Sequence, residues 1–444
     1  MRRDKYQTMV LKGLVSGCLV LSIVSPLSAA EDNPYATADE LGLMEGFPPS
    51  PDKQVTKENA LLTPPFNRWS YQHMRMIYPS APIGSAQYPV HLDRRINGSI
   101  DAVDVKHPET GEMLSMADAL EQSFTDAILV IEGNKVVYER YFNGMNADQP
   151  HQMMSVTKSF GGLLGLMAVE AGKLSEDDPV TEHVPELKAS GAFGEATFGQ
   201  VLDMTNSMDF TEDYADPQSG VRKYGATLGW TEPLPDIEYE SNLYDYLVTL
   251  PIDKDHAHGE IFHYQTPKTD VVNWVTNRVN GQSFQDAMYE QLWSKLGTEG
   301  ETYVLLDKNA TLVAGGGLNA TPNNLARFAT MMINDGVFNG QQVVARSVIE
   351  KLAAGGDLDA FANGPDADSN HPGGEWSYRA QWWVKHTPGK EAFTAIGIHG
   401  QWIYLDINND IAIVKLSSQP ASNGDPYDGL HLNTFYAIIA HLVE

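Results

Sequence analysis

The chain has 444 residues, of which 42% are hydrophobic, so it can bury a sizeable core as one large domain with an insertion or as two ordinary domains. Its formal net charge of −28 makes nucleic acid and anionic membrane surfaces poor partners. The single cysteine, Cys18, excludes an intramolecular disulfide, so stability must come from packing.

The first 30 residues have the pattern of a secretory signal peptide. Basic residues precede an apolar run over 14–27, and Ser28-Ala29-Ala30 supplies small residues for cleavage. Ser and Pro interrupt this run, which is too short for a typical membrane span. We expect an exported chain, periplasmic or secreted, without stable membrane insertion after signal removal. A lipoprotein anchor at Cys18, in Val15-Ser16-Gly17-Cys18, is the alternative.

Residues 31–110 are predicted to form an N-terminal extension, because residues 31–75 are rich in Pro, Asp, Glu and Asn and show little periodicity. After it, two β-rich runs over 127–142 flank Gly133-Asn134 and predict a hairpin. Residues 378–384, 394–407 and 411–417 predict three further antiparallel strands. The helical spacing of apolar residues over 432–443 predicts a helix packed on that sheet.

The middle of the chain is mostly helical in pattern. Helices are predicted from Ser155 to a stop at Gly172, over 271–279 and over 284–296, and Thr321-Pro322 is a helix start signal. This order predicts a fold of the α/β (α+β) class, with an antiparallel sheet built from both chain ends and flanked by helices. We assign residues 111–165 and 295–444 to the sheet domain and residues 166–294 to an inserted, mainly helical domain, with a cleft between them.

The sharpest chemical pattern is Ser155-Val156-Thr157-Lys158 at the start of an apolar helix. Residues three apart share a helix face, so the lysine amine can reach the serine hydroxyl. A serine becomes nucleophilic when a neighbouring base removes its proton, and burial or a helix N-terminus lowers a lysine pKa toward that role. The alternative is a helix cap followed by a surface lysine.

The order of several motifs resembles the serine β-lactamase and penicillin-binding-protein superfamily of class C type, over roughly residues 120–440. These motifs are Ser155-x-x-Lys158, the segment 174–180, a tyrosine about a hundred residues later, Gly315-Gly316-Gly317 before the Thr-Pro helix, and a late strand bearing a glycine. Residues 154–160, 209–217 and 397–401 are most similar to nylon-oligomer hydrolases, that is, 6-aminohexanoate-dimer hydrolases and their esterase relatives.

The resemblance implies a β-lactamase-like fold and a serine hydrolase that cleaves an amide or ester through an acyl-enzyme. Ser155 would be the nucleophile, Lys158 its base, and Tyr264 the residue that passes a proton to the leaving group. Gly400 matches the glycine of the family's Lys-Thr-Gly strand, so the N–H groups of Ser155 and Gln401 would form the oxyanion hole.

Two positions depart from the β-lactamase pattern. Thr266 replaces the asparagine of Tyr-x-Asn, and Ile398 and His399 stand in place of the Lys and Thr of Lys-Thr-Gly. Those missing side chains help β-lactamases to hold the substrate carboxylate, so efficient β-lactam hydrolysis is not expected, whereas acyl transfer is.

The loop around Tyr214 matches the lid tyrosine of the nylon-oligomer enzymes. It belongs to a stretch rich in aromatic residues that includes Trp230, and it can close over the cleft and exclude water. A surface loop with scattered aromatic residues is the alternative. The predicted substrate-binding residues are Tyr214, Trp230, Thr266, His399 and Gly400.

We predict a small-molecule amide or ester substrate, no cofactor and no metal. His256, His258 and His263 lie close together in sequence but lack the spacing and carboxylate partner of a zinc site. A β-lactamase or D-alanyl peptidase of the same fold, and a non-catalytic binding protein that retains the fold, remain alternatives. The sequence does not indicate the oligomeric state.

Overall fold

An eight-stranded sheet built from both ends of the described chain organises the structure. This computed structural model describes residues 33–444, so the predicted signal peptide and Cys18 lie outside the described residues. The sheet is antiparallel except where Asp93–Arg94 pairs in parallel with its neighbour. Its strands, in spatial order, are Trp376–Arg379, Trp382–Lys385, Ala392–Gly397, Gln401–Asp406, Ile411–Ser417, Thr125–Glu132, Lys135–Tyr141 and Asp93–Arg94.

Both faces of this sheet are buried. In the strand Thr125–Glu132, Ala127, Leu129 and Ile131 belong to one hydrophobic cluster, while Ile128 and Val130 belong to another. Successive side chains of a strand point to opposite faces, so a nearly continuous apolar run is what a sheet between two helical layers requires. The helices Val156–Glu170 and Pro322–Ile333 pack on one face, and Met116–Gln122 and Tyr427–Val443 pack on the other.

The α/β (α+β) fold class, the first hairpin and the C-terminal helix are confirmed, but the predicted number of late strands, three, was wrong because five are present. Residues 378–384 and 394–407 each form two strands with a tight turn between them. Ala380 and Gln381 have φ of 47° and 67° in the first turn, and His399 has φ of 62° in the second. Non-glycine residues rarely adopt this region, so no Gly-Pro or Asn-Gly signal marked the first break.

The remaining elements are small sheets and a helical region. Ser80–Ile83, Thr302–Leu305, Leu318–Ala320 and His151–Gln152 form a four-stranded sheet, and Asp104–Lys106 with Met113–Ser115 and Val337–Phe338 with Gln341–Gln342 form two hairpins. The other helices are Asn67–Ser70, Val180–His183, Phe198–Leu202, Gly220–Leu228, Leu243–Thr249, Pro267–Asn280, Phe284–Ala287, Arg346–Ala354 and Leu358–Asn363, with a π-helix over Met288–Trp293 and 3-10 helices over Met74–Met76, Gly98–Ala102 and Pro185–Ala189. The main hydrophobic cluster continues from the sheet into this region, and the domain boundaries at 166 and 294 stay predictions.

The N-terminal extension is fastened across the sheet. Arg68 forms a buried ion pair with Asp126 at 3.0 Å and also donates to Ser418, and the Asn67 amide donates to the carbonyls of Ser418 and Gln419. Because the pair is buried and hydrogen-bonded, removing one member would leave an uncompensated charge. No helix among residues 33–444 is long and apolar enough to span a membrane.

Two neighbouring glycines of the Val156–Glu170 helix have opposite surroundings, which gives a test of the packing. A Cβ on Gly162 would lie 2.0 Å from the Ala380 carbonyl oxygen, whereas a Cβ on Gly161 would make ordinary contacts with the Thr269 methyl at 3.7 Å and the Phe284 ring at 4.0 Å. We expect Gly162→Ala to reduce the free energy of unfolding by about 3 kcal/mol or more, because the backbone must move. Gly161→Ala should change it by less than about 1 kcal/mol. Urea denaturation of both variants measures this difference, and equal stabilities would contradict the packing described here.

Candidate active site

Ser155 lies at the entrance to the helix Val156–Glu170, at the bottom of the cleft. The residue before it, Met154, has φ of 46°, a backbone conformation that is unfavourable for a side chain and is found at tight turns that present functional groups. Ser155 is the N-cap residue, but its hydroxyl makes no capping hydrogen bond. The hydroxyl is therefore available for another role, and a simple helix cap does not account for this serine.

Lys158 reaches the serine from one helical turn further on. Its Nζ atom lies 2.9 Å from Ser155 Oγ and also donates to the Gly315 carbonyl oxygen. The side chain is 1% exposed, which contradicts a surface lysine. Burial lowers the Lys158 pKa to about 8, although the negative charges of Glu212 and Asp270 oppose this shift. A neutral amine beside the hydroxyl can accept its proton.

Tyr264 lies beside both Ser155 and the Lys158 amine. Lys158 Nζ lies 5.2 Å from the centre of the Tyr264 ring, which stacks on Trp383 with ring centroids 5.7 Å apart. Burial and the charge of Glu212 raise the Tyr264 pKa well above its usual value, and the neighbouring Ser155 side chain opposes the rise. Tyr264 is therefore a phenol at neutral pH and can donate a proton.

Glu212 connects the lid to the site and was missed from the sequence. Its Oε1 accepts hydrogen bonds from the Tyr214 hydroxyl, at 2.7 Å, and from the Thr266 hydroxyl, while Oε2 accepts from the Thr266 N–H at 3.0 Å. One carboxylate thus joins the predicted residues Tyr214 and Thr266. The only signal in the sequence was its place two residues before the lid tyrosine.

Asp270 is a buried carboxylate that fixes the position of Gly315, the residue whose carbonyl accepts from Lys158. It is buried, accepts from the Tyr224 hydroxyl at 2.6 Å and from the Gly315 N–H at 3.1 Å, and burial raises its pKa to about 6. Gly315 gives its N–H to Asp270 and its carbonyl to Lys158. A Cβ at Gly315 would lie 2.7 Å from the Thr266 methyl, so this close contact requires glycine.

The structure corrects the alignment of the late strand with the family's Lys-Thr-Gly motif by three residues, because Gly397 and not Gly400 lies beside Ser155. Gly400 has φ of 87° and is buried against Gln419, Ser417 and His431, and His399 bonds the Gln419 carbonyl at 2.8 Å. Gln401 is fully buried, and its amide donates to the Ser417 carbonyl at 2.6 Å. The physical reason is the unpredicted turn over 398–400, which carries these residues away from the cleft, so the structure does not bring His399, Gly400 or Gln401 to Ser155.

Gly397 and Ile398 take their place beside the nucleophile. A Cβ on Gly397 would lie 2.5 Å from the Met153 carbonyl oxygen and 3.1 Å from the Ser155 nitrogen, so only glycine fits there. Ile398 lies next to the serine and lines the cleft on both sides of it. Neither the Ser155 N–H nor the Ile398 N–H has an acceptor within residues 33–444, which leaves two donors beside the nucleophile.

Two cavities of different character meet at Ser155. The first, about 60 Å³, is narrow and apolar, and Trp230 forms part of its wall and is held by a 2.8 Å hydrogen bond from its indole nitrogen to the Leu306 carbonyl. The N-terminal extension adds Leu61 and Leu62 to this wall, a contribution that local patterns do not reveal. The second, about 270 Å³, is polar and lies on the Tyr264 side. Tyr214 lines both cavities.

The three clustered histidines do not share a metal-binding arrangement. His258 accepts from the Ser207 N–H at 2.9 Å, and burial lowers the His263 pKa to about 4. Within the described part of the chain, no group of three or more His, Cys, Asp or Glu residues has a metal-binding arrangement.

Known proteins resemble this chain in sequence and in fold. A model of the beta-lactamase family matches residues 116–435. A 6-aminohexanoate-dimer hydrolase of Paenarthrobacter ureafaciens is 34% identical over 369 residues, covering 82% of this chain and 89% of the relative. A Bacillus anthracis structure provisionally named a 6-aminohexanoate-dimer hydrolase has a TM-score of 0.79 at 27% identity, covering 89% of this chain and 99% of that one. EstCE1, a hydrolase with promiscuous acyltransferase activity, shares the fold, with a TM-score of 0.55 at 15% identity over 73% of this chain and 98% of its own.

The buried lysine predicts the pH dependence of the site. A neutral Lys158 amine acting as the predicted base would make kcat/KM for an uncharged ester rise with pH through an apparent pKa of about 8 and then level off. Lys268, which is also buried and has a pKa lowered to about 7, provides the control. Lys268→Met should leave the apparent pKa near 8. An apparent pKa that moves in Lys268→Met would assign the titration to Lys268 and contradict the role of Lys158.

Proposed function

The chain belongs to the beta-lactamase family of serine hydrolases, whose members act through an acyl-enzyme, and from this membership we propose that it cleaves amide bonds of small linear molecules at Ser155. The observation that carries this proposal is the buried Lys158 amine 2.9 Å from the Ser155 hydroxyl. The name of the Paenarthrobacter ureafaciens relative supports a linear amide bond, rather than the cyclic amide bond of a β-lactam, as the bond that is cleaved.

In the proposed acylation step, Ser155 Oγ forms a bond to the substrate carbonyl carbon while its proton passes to the neutral Lys158 amine. The negative charge on the carbonyl oxygen is stabilised by the N–H groups of Ser155 and Ile398. The C–N bond then breaks, and the leaving nitrogen takes a proton from Tyr264, which is replenished from Lys158. Water releases the acyl group by the reverse proton route and regenerates the Ser155 hydroxyl.

The charge of the site disfavours β-lactams. Among residues 33–444, no Lys or Arg lines either cavity, whereas Glu212 and three aspartates line the second one. The carboxylate of a penicillin or cephalosporin would lack a cationic partner and would face like charges. We therefore propose that β-lactamase activity is weak, which a nitrocefin assay tests.

Export to the periplasm or the medium is also part of the proposal. It is supported by the basic start, apolar run and small cleavage residues of positions 1–30. Fractionation of cells that express the full chain, with N-terminal sequencing of the product, tests it.

Replacement of the nucleophile tests the proposed site. Ser155→Ala should lower amide and ester hydrolysis by about three orders of magnitude or more, since nothing else can form the acyl-enzyme. The melting temperature should stay close to that of the parent, because the hydroxyl makes no capping bond. A fluorophosphonate probe, followed by mass spectrometry, should label Ser155 in the parent only. Retained turnover or labelling elsewhere would overturn the assignment.

Tyr214 distinguishes amide from ester chemistry. Its hydroxyl donates to Glu212, so its oxygen lone pairs can accept the N–H of a scissile amide, a group that esters lack. We expect Tyr214→Phe to lower amide hydrolysis by roughly one to two orders of magnitude and p-nitrophenyl ester hydrolysis by only a small factor. Both rates are measured on the same protein preparations. An equal loss on both substrates would mean that Tyr214 only shapes the lid.

A further inference from the structure

The second cavity beside Ser155 has an acidic wall. Four carboxylates line it, from Glu212, Asp366, Asp368 and Asp428, and within the described residues no Lys or Arg lines it. The negative potentials of neighbouring carboxylates add, and a cleft focuses them. Such a wall attracts a cation and repels an anion.

These carboxylates accept hydrogen bonds from backbone N–H groups and from the side chains of Tyr214, Thr266 and His371. Asp366 accepts from the Tyr264 N–H at 2.7 Å, and Asp428 accepts from the Gly424 N–H at 2.6 Å. Neither they nor Glu212 form a salt bridge with a Lys or Arg within residues 33–444, and the nearby Lys268 donates instead to the carbonyls of Met204 and His263. Burial raises the pKa of both Asp366 and Asp428 to about 6. A bound cation would favour their ionised forms.

His371 is a second and independent sign of a polar ligand in this cavity. It lines the same cavity, is 6% exposed and packs against Trp376 and Trp383 with ring centroids 4.7 and 4.9 Å away. Its Nδ1 atom lies 3.2 Å from the Asp368 carboxylate, which can only accept, so Nδ1 carries the proton. The other ring nitrogen, Nε2, has no partner in the described part of the chain. Buried polar atoms normally have partners.

Aromatic rings complete the wall of the cavity. Trp383 and Tyr264 both line it and stack on each other with an interplanar angle of 26°. The face of an aromatic ring attracts a cation. Tyr264 already stacks on Trp383 and has the Lys158 amine over its ring, so the carboxylates supply the main attraction for a cationic ligand.

The position of Tyr264 decides which part of the substrate enters this cavity. Tyr264 is the proton donor to the leaving nitrogen under the proposed function, and it lines the acidic cavity but not the apolar one. The leaving amine therefore faces the acidic cavity, and the acyl chain is left with the apolar cavity of Leu61, Leu62 and Trp230.

We propose that the acidic cavity is a subsite for a cationic leaving group, so that the preferred substrates are amides between an apolar acyl chain and an amine that carries a second ammonium group, such as an acylated diamine. This inference rests on the proposed function. It implies that a leaving group ending in a carboxylate, as in a dimer of an amino acid, is a poor fit for this chain.

A matched set of amides tests the subsite. N-hexanoyl putrescine, N-hexanoyl butylamine and N-hexanoyl γ-aminobutyrate share the acyl chain and differ only at the far end of the leaving amine, which is cationic, neutral or anionic. We expect kcat/KM to fall in that order, with about tenfold between the first two, a difference that a single desolvated charge contact can supply. Aminohexanoyl butylamine, with its ammonium on the acyl side, should show no such advantage.

Two variants test whether the carboxylates of the acidic cavity cause the preference for a cationic leaving group. Asp428→Asn should reduce the ratio of kcat/KM for the cationic over the neutral amide by about fivefold to tenfold. Asp359→Asn removes an exposed carboxylate that does not line the cavity, and it should leave the ratio unchanged. A ratio that falls equally in both variants would indicate only a general effect of net charge and would overturn the subsite.

Binding separates this inference from the proposed function. Ser155→Ala keeps the cavity and should bind N-hexanoyl putrescine about tenfold more tightly than N-hexanoyl butylamine, as measured by calorimetry. If the parent hydrolyses no amide but this difference in binding is found, the proposed function fails and the subsite stands. Equal binding of the two amides, faster cleavage of the carboxylate substrate, or an advantage for aminohexanoyl butylamine would overturn the subsite.

Discussion

The site depends on keeping the Lys158 amine buried next to the Ser155 hydroxyl without a salt bridge. A paired lysine would stay protonated and could not act as a base, while a solvated one would keep its usual pKa. Within the described residues, the Nζ atom instead meets a hydroxyl and the Gly315 carbonyl, and the negative charges of Glu212 and Asp270 raise its pKa only part of the way back. The pKa of about 8 therefore results from two opposing effects, since desolvation lowers the pKa of the amine and the two carboxylates raise it. Each carboxylate is also hydrogen-bonded elsewhere, Glu212 to the lid and Asp270 to Tyr224, so their distances from the amine are fixed by the fold.

This burial requires unusually close backbone packing around one helix. The Val156–Glu170 helix lies against the turn at Ala380 so closely that position 162 has no room for a Cβ, and Gly397 lies as closely against the Met153 carbonyl and the Ser155 nitrogen. Gly315 fills the third side, between Thr266 and Tyr224. Glycines at these three positions let strands and turns approach the nucleophile from different directions. The positive φ of Met154 is consistent with a backbone constrained on all sides, where surrounding contacts compensate local strain.

Local patterns predicted what depends on neighbours in sequence and missed what depends on distant contacts. The Ser155 to Lys158 spacing, the hairpin at Gly133-Asn134 and the Thr321 cap are local, and each is present in the structure. The turns at Ala380-Gln381 and over 398–400 use non-glycine residues with positive φ. The hydrophobic periodicity therefore predicted one continuous strand across each turn. That error moved the strand alignment by three residues and placed the second predicted oxyanion donor at Gln401 instead of Ile398, the donor that we propose. Glu212, and the contribution of Leu61 and Leu62 to the cleft, arise from loops that meet only in the folded chain.

Within residues 33–444, no Lys or Arg lines the two cavities at Ser155, and this bears on both the proposed chemistry and the proposed choice of substrate. A Lys or Arg close to Ser155 would hold a substrate carboxylate, but it would also lower the Lys158 pKa further and neutralise Glu212, which holds the lid tyrosine. The chain instead combines carboxylates on the Tyr264 side with an apolar wall on the other side. Carboxylates near the site raise the lysine pKa, and a cationic group bound among them would offset part of that effect. Occupation of the acidic cavity by an ammonium group would thus favour the neutral, reactive form of Lys158. The charge of the substrate and the pKa of Lys158 would then be linked through the electrostatic potential of the same carboxylates.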